Sequence, residues 1–150
     1  MAERRLRWGL LSTARINERL IPVLRASPRC ELRAVASRSR ERADAYARTW
    51  DIPRAHGSYE ELLADAEVDV VYLPLPNTLH VPWALKCVEA GKHVLCEKPL
   101  ATRAAEVDRL AETAGRRGVV VQEASMMRFH LHGKTSWIAG VRPGNDEFAA

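Results

Sequence analysis

Short apolar runs alternate along this chain with segments of helical period, and that alternation is what most constrains its fold. Leu6 to Leu11 is the first run, with Trp8 inside it. A helical stretch follows from about Ala14 to Arg25, with Ile16, Leu20, Val23 and Leu24 expected on its inner face and Pro22 expected to kink or shorten it. Leu32 to Ala36 reads as a second strand, Arg40 to Trp50 as an exposed helix ended by Pro53, and Arg54-Ala55-His56 as a very short strand. Ser58 and Glu61 have the spacing of a capping box, which opens a helix carrying Leu62 and Leu63 inward. Val68 to Leu73 is the clearest buried strand, and Pro74-Leu75-Pro76-Asn77 breaks it. The next helix is expected from about His80 to Ala90, with Pro82 in its first turn and Gly91 at its end. His93 to Cys96 is a strand, Thr102 is expected to cap a long helix to about Arg117 that stops at Gly118, and Val119-Val120-Val121 reads as the last strand. Five or six strand–helix units at crossover spacing predict an α/β fold, a doubly wound parallel sheet with helices on both faces.

The length of 150 residues suits one domain with a real core, and the balance of 47% hydrophobic to 28% charged residues is that of a soluble globular chain. No apolar run approaches the ~20 residues that cross a bilayer, so no membrane partner is expected. The N-terminal stretch has no apolar core with a small-residue cleavage site, and Cys30, Cys87 and Cys96 cannot all pair; a reducing, cytoplasmic setting is the expectation. The net charge of +4 comes from arginines scattered among carboxylates, not from a basic stripe with interleaved aromatics, which argues against nucleic acid. Its weak positive field favours an anionic cofactor. His130 and His132 lack a third ligand at convincing spacing, so no metal is expected, and no Gly-x-Ser-x-Gly turn supports a hydrolase.

Chemistry in such a sheet gathers beyond the carboxyl ends of the strands, and four stretches fall there. The first turn, Ser12-Thr13-Ala14-Arg15-Ile16-Asn17, puts Ser12, Ala14 and Asn17 where a dinucleotide turn has glycines. Small residues, two hydroxyls and a helix N-terminus still suit an anion, but the turn read alone serves equally as an ordinary helix cap. The second strand ends in Ser37 and Arg38 with no carboxylate to take a ribose 2′-hydroxyl. A hydroxyl and a guanidinium suit a 2′-phosphate, favouring NADP over NAD; the plainer alternative is a cap with surface arginines. Prolines stiffen the loop holding Leu75, Pro76 and Asn77, and His80 follows, which alone would read as a capping or surface histidine. Glu97-Lys98-Pro99 closes the fifth run: a lysine there is a candidate acid, base or polariser, although an isolated Glu-Lys-Pro reads as a solvated pair before a loop.

In order and spacing, five segments resemble the N-terminal half of the glucose–fructose oxidoreductase, inositol dehydrogenase and rhizopine-catabolism (Gfo/Idh/MocA) family. They begin at Arg7-Trp8-Gly9, Val35-Ala36-Ser37-Arg38, Gly57-Ser58-Tyr59, Asp69-Val70-Val71 and Gly91-Lys92-His93-Val94-Leu95-Cys96-Glu97-Lys98-Pro99, and Val121-Gln122-Glu123-Ala124 with Met127-Arg128-Phe129-His130 continues the pattern. The Ser-Thr-Ala turn resembles the branch with trans-dihydrodiol and sugar dehydrogenases. The resemblance implies a Rossmann domain over residues 5–130 that holds NAD(P), with residues 12–16, Ser37, Arg38, Leu75, Pro76, Asn77, His80, Glu97, Lys98 and Arg128 as cofactor contacts. Lys98 would assist proton transfer at a substrate hydroxyl, Glu97 would orient the site, Asn77 and His80 would line the nicotinamide side, and the Lys98–Pro99 bond would be cis. The implied reaction is NADP-dependent oxidoreduction at the CH–OH of a sugar, cyclic polyol or dihydrodiol. The family's second α/β domain has no counterpart in the aperiodic residues 131–150, which reads as an irregular tail of a truncated or frame-shifted product. A chain inactive alone, with homo-oligomers only where that domain is present, is the resulting expectation; a non-catalytic nucleotide-binding module or a non-functional fragment is the alternative.

Overall fold

The computed structural model describes residues 4–125. The expected cofactor contact Arg128 and the expected tail at 131–150 lie outside them. Six strands alternate with five helices: β1 Leu6–Leu11, α1 Asn17–Ala26, β2 Cys30–Ala36, α2 Arg40–Thr49, β3 Arg54–His56, α3 Tyr59–Ala64, β4 Val70–Leu73, α4 Asn77–Glu89, β5 His93–Glu97, α5 Ala104–Arg117 and β6 Val121–Ala124. The strands form one parallel sheet in the order β3-β2-β1-β4-β5-β6. The order reverses between β1 and β4, the switch point at which open sheets of this kind leave a crevice. No helix among the described residues is long and apolar enough to cross a membrane.

Alternation along the strands sorts the core into two layers. Leu11, Ala34, Ala36, Val71, Leu73, Val94 and Cys96 face α3, α4 and α5, where Leu62, Leu63, Ala84, Leu85, Val88, Leu110 and Ala114 meet them. Leu10, Val35 and Tyr72 face the other way, onto Ile21 and Leu24 of α1 and Ala47 of α2. The small residues of the first layer let helices lie close. At Gly9 an added Cβ would sit 3.0 Å from Val68 and 3.1 Å from Leu62, so glycine is what admits α3 against β1.

Several boundaries differ from the sequence reading. In α1 the buried residues are Asn17, Ile21 and Leu24, while Ile16 and Val23 are exposed; the helix rolls about one position to bury the Asn17 amide. Pro22 lies inside α1 on the exposed side, where one missing N–H is tolerated. Helix α4 starts at Asn77, so Pro82 falls in its second turn rather than its first. Arg103, not Thr102, is the N-cap of α5, and it has no side-chain cap bond. The last strand begins at Val121: the Val119 N–H is still tied to the C-terminus of α5 through the Ala114 carbonyl, and Val120, its side chain exposed, joins β5 only through its carbonyl, which accepts from the Val94 N–H. Ser58 does cap α3, accepting from the Glu61 N–H at 3.1 Å, but the Glu61 carboxylate returns to the N–H of Gly57, one residue earlier than the capping box implies. Gly118 ends α5 in the left-handed region at φ 65°.

The amino-terminal rim of the sheet is locked by ions. Asp69 accepts from the backbone and guanidinium of Arg7 at 2.9–3.0 Å and pairs with Arg4. The buried Lys92 ammonium donates to the carbonyls of Asp65 and Val68, both at 2.7 Å. The Arg7 hydrogen bonds hold the Asp69 carboxyl down at about 2, against the opposing effect of desolvation. Because that pKa lies below its ordinary value of 3.8, the Asp69 contribution to stability is complete above about pH 4 and is lost as pH falls toward 2. Acid titration of the fold should therefore show a weaker stability loss between pH 4 and 2 in Asp69→Asn than in the parent. Truncation at the close-packed α3 contact, Leu62→Ala, is expected to cost about 2–5 kcal/mol, seen as a lower urea midpoint at unchanged slope.

Candidate functional site

The parallel register lines up the strand ends. Leu11 lies opposite Ala36, Leu10 opposite Tyr72, Leu73 opposite Cys96, and Cys96 opposite Glu123. Ser12, Ser37, Pro74 and Glu97 thus leave the sheet in one row at its carboxyl rim, on both sides of the switch point. Lys98 follows at that rim, opposite to the one locked by Asp69 and Lys92.

Residues 12–16 connect β1 to the start of α1. Ser12 has φ 147°, a backbone conformation that L side chains rarely adopt. Its hydroxyl accepts from the Ala14 N–H at 3.2 Å, and its carbonyl accepts from the Asn17 carboxamide at 2.8 Å. Asn17 is fully buried. Ile16 caps α1 without a side-chain bond, and the N–H groups of Thr13, Arg15 and Ile16 have no acceptor among the described residues. Unpaired N–H groups at the start of a ten-residue helix suit an anion.

At the end of β2, Ser37 is buried; its N–H donates to the His56 carbonyl at 3.1 Å. Ser39 caps α2 by accepting from Arg42 N–H at 3.3 Å. Arg38 and Arg42 are exposed, and both charges act on the hydroxyl of Tyr59. Burial pushes that phenol above its ordinary pKa, and the two guanidinium groups oppose the shift. The sequence reading passed over Arg42; its signal was a second arginine in the first turn of the helix that Ser39 caps.

The loop after β4 and the loop after β5 are joined beneath the rim. His80 is fully buried, with Nδ1 2.6 Å from the Pro99 carbonyl and Nε2 2.7 Å from the Leu75 carbonyl. The Leu75 side chain is packed in the core, whereas Pro76 and Asn77 are exposed at the start of α4. His80 and Leu75 are therefore under the surface on which Asn77 lies. The Lys98–Pro99 peptide is cis.

Glu97 ends β5 with its carboxylate turned to β4: Oε1 accepts from the Tyr72 hydroxyl at 2.5 Å, and Oε2 lies 3.4 Å from the Lys98 N–H. Burial first, and the Glu97 carboxylate next, push the Tyr72 phenol well above its usual range, so it stays a donor. The Lys98 side chain is exposed and its ammonium has no partner among the described residues. Glu97 and Lys98 thus do not form the solvated pair that adjacency suggested. Tyr72 was the other residue missed by the sequence reading; a phenol inside an otherwise aliphatic buried strand is its signal.

Residues 6–125 match the Gfo/Idh/MocA oxidoreductase family, NAD-binding Rossmann fold. The chain belongs to this family. Over 124 residues it is 47% identical to D-xylose 1-dehydrogenase (NADP(+)) 2 of Haloferax volcanii, covering 82% of this chain and 38% of that protein. Over 126 residues it is 45% identical to trans-1,2-dihydrobenzene-1,2-diol dehydrogenase of Sus scrofa, covering 83% and 38%. Among solved structures, the 3-ketoreductase KijD10 from Actinomadura kijaniata in complex with NADP superposes with a TM-score of 0.80 at 38% identity, over 85% of this chain and 41% of that one. The chain thus spans 38% of the length of these curated Gfo/Idh/MocA relatives. The family's Rossmann fold is the one described above. His80→Leu would remove the ring that lies between the Leu75 and Pro99 carbonyls, a change expected to lower stability by about 1–3 kcal/mol in urea unfolding.

Proposed function

We propose that this chain is the NADP(H)-binding part of an oxidoreductase that acts at a CH–OH group of a sugar, cyclic polyol or dihydrodiol. One observation carries the cofactor choice: Ser37 and Arg38 follow β2 and Arg42 lies in the first turn of α2, with no carboxylate in Ala36-Ser37-Arg38-Ser39 and the Glu41 carboxylate engaged by the Ser39 hydroxyl at 2.6 Å. A carboxylate there would accept a ribose 2′-hydroxyl and repel a 2′-phosphate; two guanidinium groups favour the phosphate. The names of the xylose dehydrogenase and KijD10 relatives, both tied to NADP, point the same way.

In this reading residues 12–16 bind the pyrophosphate through N–H groups and the α1 N-terminus, and Arg38 and Arg42 bind the 2′-phosphate. The nicotinamide supplies hydride donation or acceptance when bound. Pro76 and Asn77 line its side of the crevice. Lys98 holds or moves the proton of the substrate hydroxyl: it is an exposed ammonium just past the strand end with no partner among the described residues. Glu97, fixed by Tyr72, supplies a nearby negative charge without competing for the Lys98 amine. His80 and Leu75 support the loop from below. The substrate pocket belongs to length that the relatives have beyond this stretch, so these 150 residues alone are expected to bind cofactor without steady turnover.

Titration with each nucleotide, followed by tryptophan quenching, tests the reading. NADPH should bind at least about 10-fold more tightly than NADH, since one charge-assisted bond is worth more than the 1.4 kcal/mol of a tenfold change. Arg38→Ala should raise the NADPH Kd about 10-fold and leave NADH nearly unchanged. Equal affinities for the two nucleotides would remove the phosphate assignment. Steady oxidation of a polyol by the 150-residue chain would contradict the expected lack of turnover.

A further inference from the structure

The first turn poses a physical problem. A dinucleotide turn uses glycine at its first position because the backbone there leaves the regions open to L side chains. At that position this chain has φ 147° and puts serine there. A residue held in such a region persists only where its surroundings over-determine it, at a cost on the order of 1–3 kcal/mol.

Two bonds do so here. The Ser12 hydroxyl accepts from the Ala14 N–H, which is local to the turn. The Asn17 carboxamide donates to the Ser12 carbonyl at 2.8 Å from the first residue of α1. The second bond has the greater leverage. A peptide unit is planar and trans, so fixing the Ser12 C=O fixes the Thr13 N–H in the opposite direction. Asn17 thereby aims one of the N–H groups that have no acceptor within the described residues.

The state of Asn17 supports this assignment. Its side chain is fully buried beside the Tyr46 hydroxyl, and its Oδ1 accepts no hydrogen bond of ordinary geometry among the described residues. An apolar residue would remove that cost, because a buried unsatisfied polar atom is destabilising. What an apolar residue lacks is the N–H donor, and that donor is the part in use. The donor's orientation is fixed, since the opposite amide flip would set two oxygens against each other.

We propose that Asn17 is a positioning residue of the dinucleotide turn, its buried carboxamide holding the Ser12 carbonyl and so replacing the conformational freedom that glycine supplies elsewhere. The inference rests on the reading of residues 12–16 as the pyrophosphate site. It predicts an exchange: with glycine at position 12, the turn no longer needs Asn17.

The test is a double-mutant cycle on the 150-residue chain, reading the NADPH Kd and urea stability for S12G, N17A, N17L and the two double variants. N17L keeps the branched shape at a larger volume, N17A leaves a smaller one, and both remove the donor. N17A and N17L are expected to weaken NADPH binding about 10-fold in the parent, but less than about 3-fold in the S12G background. A purely structural role for Asn17 would lower stability and give the same loss of affinity in both backgrounds; that result overturns the proposal. Unchanged NADPH affinity in folded N17A or N17L overturns it as well, as does failure of both to fold with either residue at position 12. If the parent chain itself binds no NADPH, the functional reading fails and this inference falls with it; parental binding with no exchange removes the inference alone.

Discussion

Everything at the candidate site depends on the register of parallel strands around the switch point. A shift of one residue in β1 against β2 or β4 would invert every side chain on the strand, and would move Ser12 out of line with Ser37 and Pro74. The two-layer core enforces that register. Leu11 and Leu10 face different helices, and each is completely buried. The apolar effect therefore fixes where the strands stop, and the strand ends fix which loops become neighbours. No functional group at the rim has to contribute stability for this to hold.

The two rims have been given different chemistry. At the amino-terminal rim, charges are satisfied by the protein's own groups: Arg7 and the exposed Arg4 on Asp69, and Lys92 on two backbone carbonyls. At the carboxyl rim, cations and N–H groups remain available. Arg38, Arg42 and Lys98 are exposed, while the carboxylate nearest Lys98 in sequence is occupied by a tyrosine. The same composition thus stabilises one rim and leaves the other able to take a polyanion. Buried polar groups behind the rim, His80 and Asn17, tie loops and turns to the core.

Much of this was legible in the sequence. Strands Leu6–Leu11 and Arg54–His56 have the bounds read from the sequence, the first from its apolar run and the second from its place between Pro53 and Gly57. The site rim followed from which residues end each run. What escaped was set by tertiary contacts. Apolar character made Val119-Val120 look like strand, yet a helix end claims the first, and the second turns its side chain to solvent with its N–H taken by the His93 ring. Counting the period of α1 from Ile16 missed a face that starts from polar Asn17, because the Ser12 carbonyl needed a donor. His80 looked like a rim residue, and only the path of the loop after Lys98 showed two carbonyls waiting for it beneath the surface. Tyr72 and Glu97 are 25 positions apart, so sequence gave no hint that one occupies the other.

The central claim is that one rim seats the nucleotide across the β1–β4 switch. Amide chemical-shift mapping of the isotopically labelled chain during titration with NADPH tests it most directly. The account predicts that the perturbed amides cluster at Thr13, Ala14, Arg15 and Ile16, with Arg38, Asn77 and Lys98 joining them. Perturbations centred instead on Arg7, Asp69 and Lys92, at the far end of the strands, would contradict it.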